Sequence, residues 1–584
     1  MFKHVYIIIK IKHIKILGNK KGDETMKKKI WGYLLTALFV GASLGGCGST
    51  TSKETSAAAS STPTTSEVTA ATSQTINYAI WSSPKGVFNP VLLNDIYDRR
   101  VGELVFSSLL TLDADDNIIP ALAESYEVSE DNLKITFKLR SNVTWHDGKP
   151  FTAKDVAFTF TSIADPNYTG PRFAEIEKLV GAQDYRDGKA DTVTGIEVID
   201  EQTISFTYSE VYAAALANFA IRGILPEHIW GAIPVGEWEK QTELLTKPIG
   251  TGAFKLVNFV PDQYVELVRN EDYFLGAPKL EKVILKVSNQ ETAQGELING
   301  TLDIAALSSF KQQDLDTYTS AGKKILEYPS ASYQFMTMNN ENPLFADKRV
   351  RQAITYAINR EGLVNQLLEG HGAIINAPLA VSSWAYPKEG LADYTYDAAK
   401  AQSLLAEAGW TVENGVLQKE GTAFKVELLV PTGNKVREQS APIIQQNLKD
   451  LGIEVNISSM DFASVKAKVY EEHSYEMALM GFSLELDPAD AKSYWSSELL
   501  GKPSFNFANF NNVQSDTLLN QAAQSLNQDE RKVYYNEWAK LLNEEVPFVY
   551  LYSPNEARAY NPNIKGYNFS NYIEFPNIHE WTLE

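Results

Sequence analysis

The region from residue 424 to 457 constrains the fold most, because its elements follow the order strand, helix, strand. Phe424 to Val430 is an apolar run of strand length, Glu438 to Leu451 has helical spacing and is stopped by Gly452, and Ile453 to Ile457 is a second strand. Two strands joined through a helix lie parallel in one sheet, with the helix packed on its face. The sequence therefore predicts an α/β lobe in this region.

Helix and strand signals elsewhere predict a second lobe of the same class. Asp347 can cap a helix that Gly370 would end, and a helix from Asp397 to Ala408 would close at Gly409. In the first half of the chain, three segments alternate apolar and polar residues as half-buried strands do: Leu133–Leu139, Thr203–Tyr208 and Tyr264–Arg269. Two α/β lobes usually hold a ligand in the crevice between them.

Length and charge limit the possible classes of protein. The chain has 584 residues, well above the roughly 100–200 of one ordinary domain, so several lobes and a deep cleft are expected. Its formal net charge is -20, and residues 1–46 hold nine Lys against two acidic residues, so the remainder is more acidic than the whole. An acidic body argues against a nucleic-acid partner.

Cys47 is the single cysteine, which excludes an internal disulfide and a thiolate metal cluster. It follows Lys27–Lys29, an apolar run from Ile30 to about Val40, and small residues, which is the order of a secretory signal; the run is too short for a comfortable transmembrane helix. Leu44-Gly45-Gly46-Cys47 resembles the bacterial lipobox, in which the cysteine is diacylated and becomes the mature N-terminus. We expect a signal peptide over residues 1–46 and a lipid-anchored protein on the extracellular face of the cell membrane.

Two further segments near the N-terminus have simple interpretations. Residues 1–25 mix Ile and Lys ahead of Met26, which itself begins an intact signal peptide, so a start codon placed too early is favoured over an amphipathic membrane arm. Gly48 to about Gln74 is mostly Ser, Thr and Ala, which predicts a flexible tether. The folded body then begins near Thr75.

A secreted hydrolase is the rival class of protein. Gly41-Ala42-Ser43-Leu44-Gly45 matches the Gly-x-Ser-x-Gly nucleophile elbow, but it lies inside the signal peptide. The five histidines after Met26 form no His-Glu-x-x-His arrangement, and neither a P-loop nor a dinucleotide fingerprint is present. We therefore expect a binding protein rather than an enzyme, with no cofactor.

Residues 88–166 carry the most specific pattern. Phe88-Asn89-Pro90, Pro120–Ala123, the strand ending Lys138-Leu139-Arg140, and Trp145–Val156 occur in that order. Later blocks agree with it: Pro248–Ala253, Gly300–Ile304, Asp347–Arg360 and Asn561–Gly566. The pattern resembles the family 5 extracellular solute-binding proteins, whose members include the oligopeptide-, dipeptide- and nickel-binding components of ABC importers.

The resemblance implies a periplasmic-binding-protein-like α/β fold, with two lobes joined by a hinge and a third, inserted domain. After the lipidated cysteine and tether at 47–74, domain I would comprise residues 75–112, 213–331 and 557–584, domain II 113–212, and domain III 332–556. The lobes would close on a ligand and dock on an ABC permease with its ATPase. We expect a short peptide as ligand and a monomer as the working form. A nickel complex, haem, a sugar or a peptide signal stay open, because fold alone does not fix function.

The family captures the peptide backbone with extended segments of the cleft, which accept the ligand as an added strand. Two segments match by position: Leu93–Tyr97, with Asn94 and Ile96, and Gly481–Leu484, with Phe482 and Ser483. Ordinary core packing is the alternative for both segments.

Aromatic side chains form the second group of candidates. Tyr333 and Phe335 match the cleft-lining strand of the family, and their i, i+2 spacing puts both rings on one face of a strand. A strand face that packs into the core would have the same spacing.

An acidic residue beyond Gly481 is the third candidate. In peptide-binding relatives an Asp at this place holds the α-ammonium of the ligand, a charge-assisted contact that is costly to leave unpaired. Counting from Gly481 puts Glu485 at that position, and an alignment on the Asp-Pro pair makes Asp487 the second choice. A solvated acidic loop is the alternative.

Overall fold

The computed structural model describes residues 74–584. Cys47, the expected signal peptide and nearly all of the expected tether lie outside the described residues. None of the helices within this range is both long and apolar enough to cross a bilayer.

The strands are numbered in chain order. They are β1 (Thr75–Ile80), β2 (Leu110–Leu112), β3 (Ile118–Pro120), β4 (Ala123–Val128), β5 (Lys134–Leu139), β6 (Ile196–Asp200), β7 (Thr203–Thr207), β8 (Phe254–Val260), β9 (Tyr264–Arg269), β10 (Lys282–Val287), β11 (Ile304–Ala306), β12 (Lys324–Pro329), β13 (Ser332–Met338), β14 (Gly372–Ala373), β15 (Thr411–Glu413), β16 (Val416–Lys419), β17 (Thr422–Ala423), β18 (Lys425–Pro431), β19 (Glu454–Met460), β20 (Met477–Ser483), β21 (Phe548–Tyr560), β22 (Ile564–Lys565) and β23 (Thr582–Leu583).

The α-helices are numbered in the same way. They are α1 (Ile96–Val105), α2 (Ala153–Ile163), α3 (Ala182–Arg186), α4 (Ala215–Ile221), α5 (Glu227–Trp230), α6 (Thr242–Thr246), α7 (Ala293–Ile298), α8 (Gln312–Ser320), α9 (Lys348–Ala357), α10 (Arg360–Leu367), α11 (Ala398–Glu407), α12 (Lys435–Lys449), α13 (Phe462–Lys466), α14 (Ala491–Trp495), α15 (Val513–Ala522) and α16 (Gln528–Glu545).

The strand-helix-strand unit that the sequence predicts is confirmed as β18, α12 and β19. The two strands pair in parallel over their full length, from Lys425 opposite Glu454 to Pro431 opposite Met460. Asn434 caps α12, and Gly452 follows the helix with a φ of 82°. Asp397 caps α11, as the sequence predicts. Asp347 also caps a helix, α9, but this helix ends at Ala357, and a separate helix, α10, begins at Arg360.

The large sheet consists of two halves that share the long strand β21. Its order is β19-β18-β20-β13-β21-β11-β1-β10-β9-β8, and β12 and β14 also pair with β21. The amino-terminal half of β21 pairs with β13, while its carboxyl-terminal half pairs with β11 and β12. We call the part built on β1 and β8 to β11 the first lobe and the part built on β13 and β18 to β20 the second lobe. The α/β fold with two lobes is therefore confirmed.

Strands β4 to β7 form a separate antiparallel sheet, in the order β4-β5-β7-β6. Four phenylalanine rings pack at the centre of this part, with ring centroids 4.7 to 6.0 Å apart: Phe137, Phe160, Phe206 and Phe219. The sheet spans residues 123–207, within the range expected for an inserted domain II. The domain boundaries as such stay predictions.

A buried ionic cluster joins β1, α1 and β21 to the C-terminal segment. The Glu574 carboxylate contacts Arg100 at 2.9 Å and Arg558 at 3.3 Å, and the Tyr78 hydroxyl donates to it as well. All three charged side chains are at most 10% exposed. The two arginines hold the pKa of Glu574 below its ordinary value despite its burial. Loss of the carboxylate would leave two buried guanidinium groups without their shared counter-ion.

We therefore expect Glu574→Gln to lower the free energy of unfolding by about 3–5 kcal/mol, as is usual when one partner of a buried ion pair is removed. Urea denaturation measures this. The matched control is Glu454→Gln, which removes the exposed pair between Lys425 and Glu454, in which both side chains are 60% exposed; about 1 kcal/mol or less is expected there. If the free energy of unfolding fell by a similarly small amount in both variants, the buried cluster would not be important for stability.

Candidate ligand-binding cleft

A cavity of about 350 Å³ lies where the second lobe meets the first. Most of its lining comes from outside the second lobe, including Leu93, part of α1, Arg172 between α2 and β6, and C-terminal residues between Tyr572 and His579. The second lobe supplies Glu485 and Leu486, which follow β20. The loop after β20 thus reaches a cavity that is otherwise formed by residues outside the second lobe.

Two smaller cavities of about 20 Å³, each large enough for about one water, adjoin the main one. The first shares Glu485 and Tyr572 with the main cavity, and the second shares Leu486 and Tyr572. Tyr572 lines all three. We refer to the three cavities together as the cleft.

The loop after β20 places Glu485 in the cleft with its side chain free. The backbone N–H of Leu484 donates to the Ala331 carbonyl at 2.8 Å, and the Tyr572 hydroxyl donates to the Glu485 carbonyl at 3.2 Å. These contacts fix the backbone on both sides of the residue. The exposed Glu485 carboxylate itself has no hydrogen-bond or ion-pair partner within residues 74–584. It is thus available to contact a ligand.

Asp487, the second candidate for the anchor, is already engaged. Its side chain caps a 3₁₀ turn by accepting from the Ala489 N–H at 2.9 Å, and both its oxygens accept from Arg531, one of them at 2.8 Å. The Arg531 side chain is 3% exposed. This carboxylate stabilises the loop, and the structure gives no support to Asp487 as a ligand contact.

Asp490 is a cleft residue that the sequence reasoning missed. It lines one of the small cavities together with Glu485, and one of its carboxylate oxygens is buried without a partner among the described residues. Burial first, and then the Glu485 and Asp487 carboxylates, raise its pKa to about 7. The 3₁₀ turn that starts at Asp487-Pro488 brings Asp490 back toward Glu485, so the spacing Asp-Pro-x-Asp was the available signal.

Of the aromatic candidates, Tyr333 and Phe482 lie at the cleft and Phe335 lies in the core. Tyr333 and Phe482 both line the small cavity at Glu485, with ring centroids 5.9 Å apart, and Tyr494 packs against Phe482 at 5.0 Å. Phe335 lines none of the three cavities. It is 0% exposed and stacks on Phe548 at 4.2 Å, so for this residue the expectation of a cleft position is corrected to a core position.

The two backbone segments also differ. Leu93 lines the main cavity and Asp95 has extended backbone dihedrals, with φ -114° and ψ 141°, but Asp95 caps α1 and the chain is helical from Ile96 onward. The side chains of Asn94 and Ile96 are exposed. The expectation of an extended segment is therefore corrected from Ile96 onward, because the Asp95 side chain caps a helix at this point.

Gly481–Leu484, in contrast, is extended up to Ser483. Within β20 it pairs with β13 on one side, Phe482 opposite Tyr333 and Ser483 opposite Ser332. On the other side β18 pairs only with Met477 and Ala478, so no strand of residues 74–584 occupies that edge of Gly481–Ser483. An extended ligand backbone can add to such an edge. No group of His, Cys, Asp and Glu in the same range is arranged to hold a metal ion.

The raised pKa of Asp490 makes the stability of the ligand-free protein depend on pH. The carboxyl ionises near pH 4 in the unfolded chain but near 7 in the folded protein, so its stabilising contribution is complete below pH 4 and is lost as the pH rises to 7. We expect Asp490→Asn to reduce the fall in the thermal unfolding midpoint between pH 4 and 8. Scanning fluorimetry measures the midpoint, with exposed Asp184→Asn as control. Parallel pH profiles for wild type and Asp490→Asn would rule out the buried carboxyl as a source of the fall.

Comparisons with known proteins agree over most of the chain. Residues 117–504 match the bacterial extracellular solute-binding proteins, family 5. The oligopeptide-binding protein AppA of Bacillus subtilis is 31% identical over 505 residues, which is 85% of this chain and 89% of the relative. The structure of that protein with a nonapeptide has a TM-score of 0.62 and covers 87% of this chain and 99% of that one.

Other relatives differ in the ligands that their names state. The haem-binding protein A of Haemophilus influenzae is 27% identical and covers 88% of this chain and 93% of its own length. The structure of NikZ from Campylobacter jejuni in complex with Ni(L-His) is 27% identical, with a TM-score of 0.65 over 88% of this chain and 100% of that one. The chain therefore belongs to the family 5 bacterial extracellular solute-binding proteins of ABC importers.

Proposed function

We propose that this protein captures a short peptide with a free amino terminus in the cleft and delivers it to an ABC permease. The observation that carries the proposal is the Glu485 carboxylate, which lies in the cleft without a partner beside an unpaired strand edge. The similarity to an oligopeptide-binding protein supports a peptide as the ligand.

The proposed anchor is electrostatic. Glu485 and Asp490 lie at the same small cavity, and Arg531 of α16, which contacts their loop, is engaged by Asp487. Two carboxyl groups without a cation attract an ammonium group, because a positive charge both neutralises Glu485 and favours ionisation of Asp490. The rings of Tyr333, Phe482 and Tyr494 around the cavity add a surface suited to a cation.

The peptide backbone would add to Gly481–Ser483. Main-chain hydrogen bonds to this edge are independent of the ligand side chains, so they give affinity for peptides of varied sequence. A larger residue would not fit at position 481 without a shift of its neighbours, because a Cβ on Gly481 would lie 2.5 Å from the Gln334 amide nitrogen. Arg437 holds that amide by donating to its oxygen at 2.8 Å.

The two lobes would close about the region in which strands β12 and β13 pair with β21. Contacts between distant segments lie beside the cleft: Arg531 donates to the Ala213 carbonyl at 3.3 Å, and the Leu526 N–H donates to the Asn132 side chain at 3.3 Å. We propose that these bonds form as the lobes close, and that the closed form is the one that docks on the permease. Transport energy would come from the ATPase of the importer.

Glu485→Gln is expected to weaken binding of free-amine peptides by the equivalent of about 2–5 kcal/mol, the usual cost of truncating one partner of a buried charge pair. N-acetylated peptides, which lack the ammonium, should be comparatively unaffected. Calorimetric titration of ligand-free protein measures both affinities, and Glu413→Gln, an exposed position in β15, is the control.

Equal losses for both forms of the peptide, or no loss for either, would remove Glu485 from the site. Native mass spectrometry of the protein as purified gives an independent check. Retention of a nickel complex or haem in place of peptides would contradict the proposed ligand class.

The proposal also includes anchoring through a lipidated Cys47. Two acyl chains on one cysteine hold a protein stably on a bilayer, whereas removal of the cysteine leaves no attachment. We expect Cys47→Ala to release the protein from the membrane fraction into the medium, as followed by immunoblotting of both fractions. Unchanged retention of the variant would contradict the lipid anchor.

A further inference from the structure

Three arginines line the main cavity, and they differ in how fully they are paired. Arg222 is fully engaged: its Nε and Nη2 donate to the Glu175 carboxylate at 2.9 and 2.6 Å, and its Nη1 donates to the Pro90 carbonyl at 2.6 Å. Its side chain is 5% exposed. All three guanidinium nitrogens of Arg222 thus already donate within the protein, and the residue fixes the wall of the cavity.

Arg99 is the second of the three. Its side chain is half exposed, and its Nε lies 3.5 Å from the Glu103 carboxylate. Burial raises the pKa of Glu103 to about 7, and this carboxylate also accepts from the Glu574 N–H at 2.7 Å. Glu103 is thus a weak counter-ion near neutral pH, and the cavity keeps positive charge beside α1.

Arg172 is the least satisfied of the three. Its Nη2 donates to the Leu93 carbonyl at 2.8 Å, while its Nη1 lies 3.7 Å from a Glu175 oxygen that Arg222 already binds. Its Nε is buried and has no partner within residues 74–584. Burial and the charges of Arg222 and Arg99 lower the pKa of Arg172. An anion next to this guanidinium would relieve both the repulsion and the unpaired donor.

We propose that Arg172 binds a carboxylate of the ligand, so that the cleft selects a compact zwitterion, held by its ammonium at Glu485 and by its carboxylate at Arg172. This inference rests on the proposed function and deepens it. Glu485 follows β20 of the second lobe, and Arg172 lies between α2 and β6, in the part of the chain that forms the separate β4–β7 sheet, so one ligand with both charges would link these two parts. The cavity of about 350 Å³ is at the small end of the range for ligand sites, roughly 300–1,000 Å³, which favours a di- or tripeptide.

The test uses a pooled tripeptide library prepared in two forms, with a free C-terminal acid and with a C-terminal amide. Mass spectrometry of the peptides retained by ligand-free protein gives the ratio of acid to amide. For the wild type we expect acids to be enriched roughly tenfold to a hundredfold, the range that a hydrogen bond to a charged group supplies. For Arg172→Gln the ratio should fall to about one, while Arg172→Lys, which keeps the charge, should retain part of the preference.

Arg349→Gln is the control, since it removes an exposed arginine of α9 that lines none of the three cavities, and we expect it to keep the preference. Equal retention of acids and amides by the wild type overturns the proposal without use of any variant. A loss of both forms to the same extent in Arg172→Gln also overturns it, because that result assigns Arg172 to holding Leu93 in place. Retention of no peptide at all contradicts the proposed function itself, and so is distinguishable from failure of this inference.

Discussion

A single strand shared by two half-sheets is the constraint on which the rest of this structure depends. β21 has 13 residues, of which the first part pairs with β13 and the last part with β11 and β12. Both half-sheets must therefore meet along this strand. The cluster of Tyr78, Arg100, Arg558 and Glu574 fixes the carboxyl-terminal part of that strand to the first lobe, since Arg558 belongs to β21 and Glu574 to the C-terminal segment.

The chemistry of the cleft follows from which charged groups are already paired. Asp487 is engaged by Arg531, and Glu175 by Arg222, in geometries that use both carboxylate oxygens. These pairs are structural, because their hydrogen-bonding capacity is used within the protein. The groups left over are the exposed Glu485 carboxylate, the Asp490 carboxyl and the Arg172 guanidinium, and the last two each have a buried polar atom without a partner within residues 74–584. Unpaired buried polar groups raise the free energy of the ligand-free protein, and a ligand of complementary charge would lower it.

Part of the candidate site could be predicted because it depends on short stretches of chain. Glu485 and Phe482 follow from counting along one strand and its loop, and both line the cleft. Tyr333 and Phe335 show the limit of that reasoning. Both rings have the spacing of one strand face and both are buried, yet Tyr333 lies beside the small cavity and Phe335 lies under Phe548. Which of the two rings lies in the core is decided by packing against β21, a strand that is far away in sequence.

The sequence by itself determined the α/β class, the parallel unit of β18, α12 and β19, and the helix starts at Asp347 and Asp397, because periodicity and capping act over a few turns of chain. It missed that Asp95 starts a helix within a segment expected to be extended. Only the tertiary structure decided which acidic residues are free. Asp487 and Glu485 are two residues apart, but of these two carboxylates Arg531, which lies 44 residues beyond Asp487 in the chain, binds that of Asp487. The role of each carboxylate depends on partners brought together by the fold, and the spacing of the residues themselves does not contain that information.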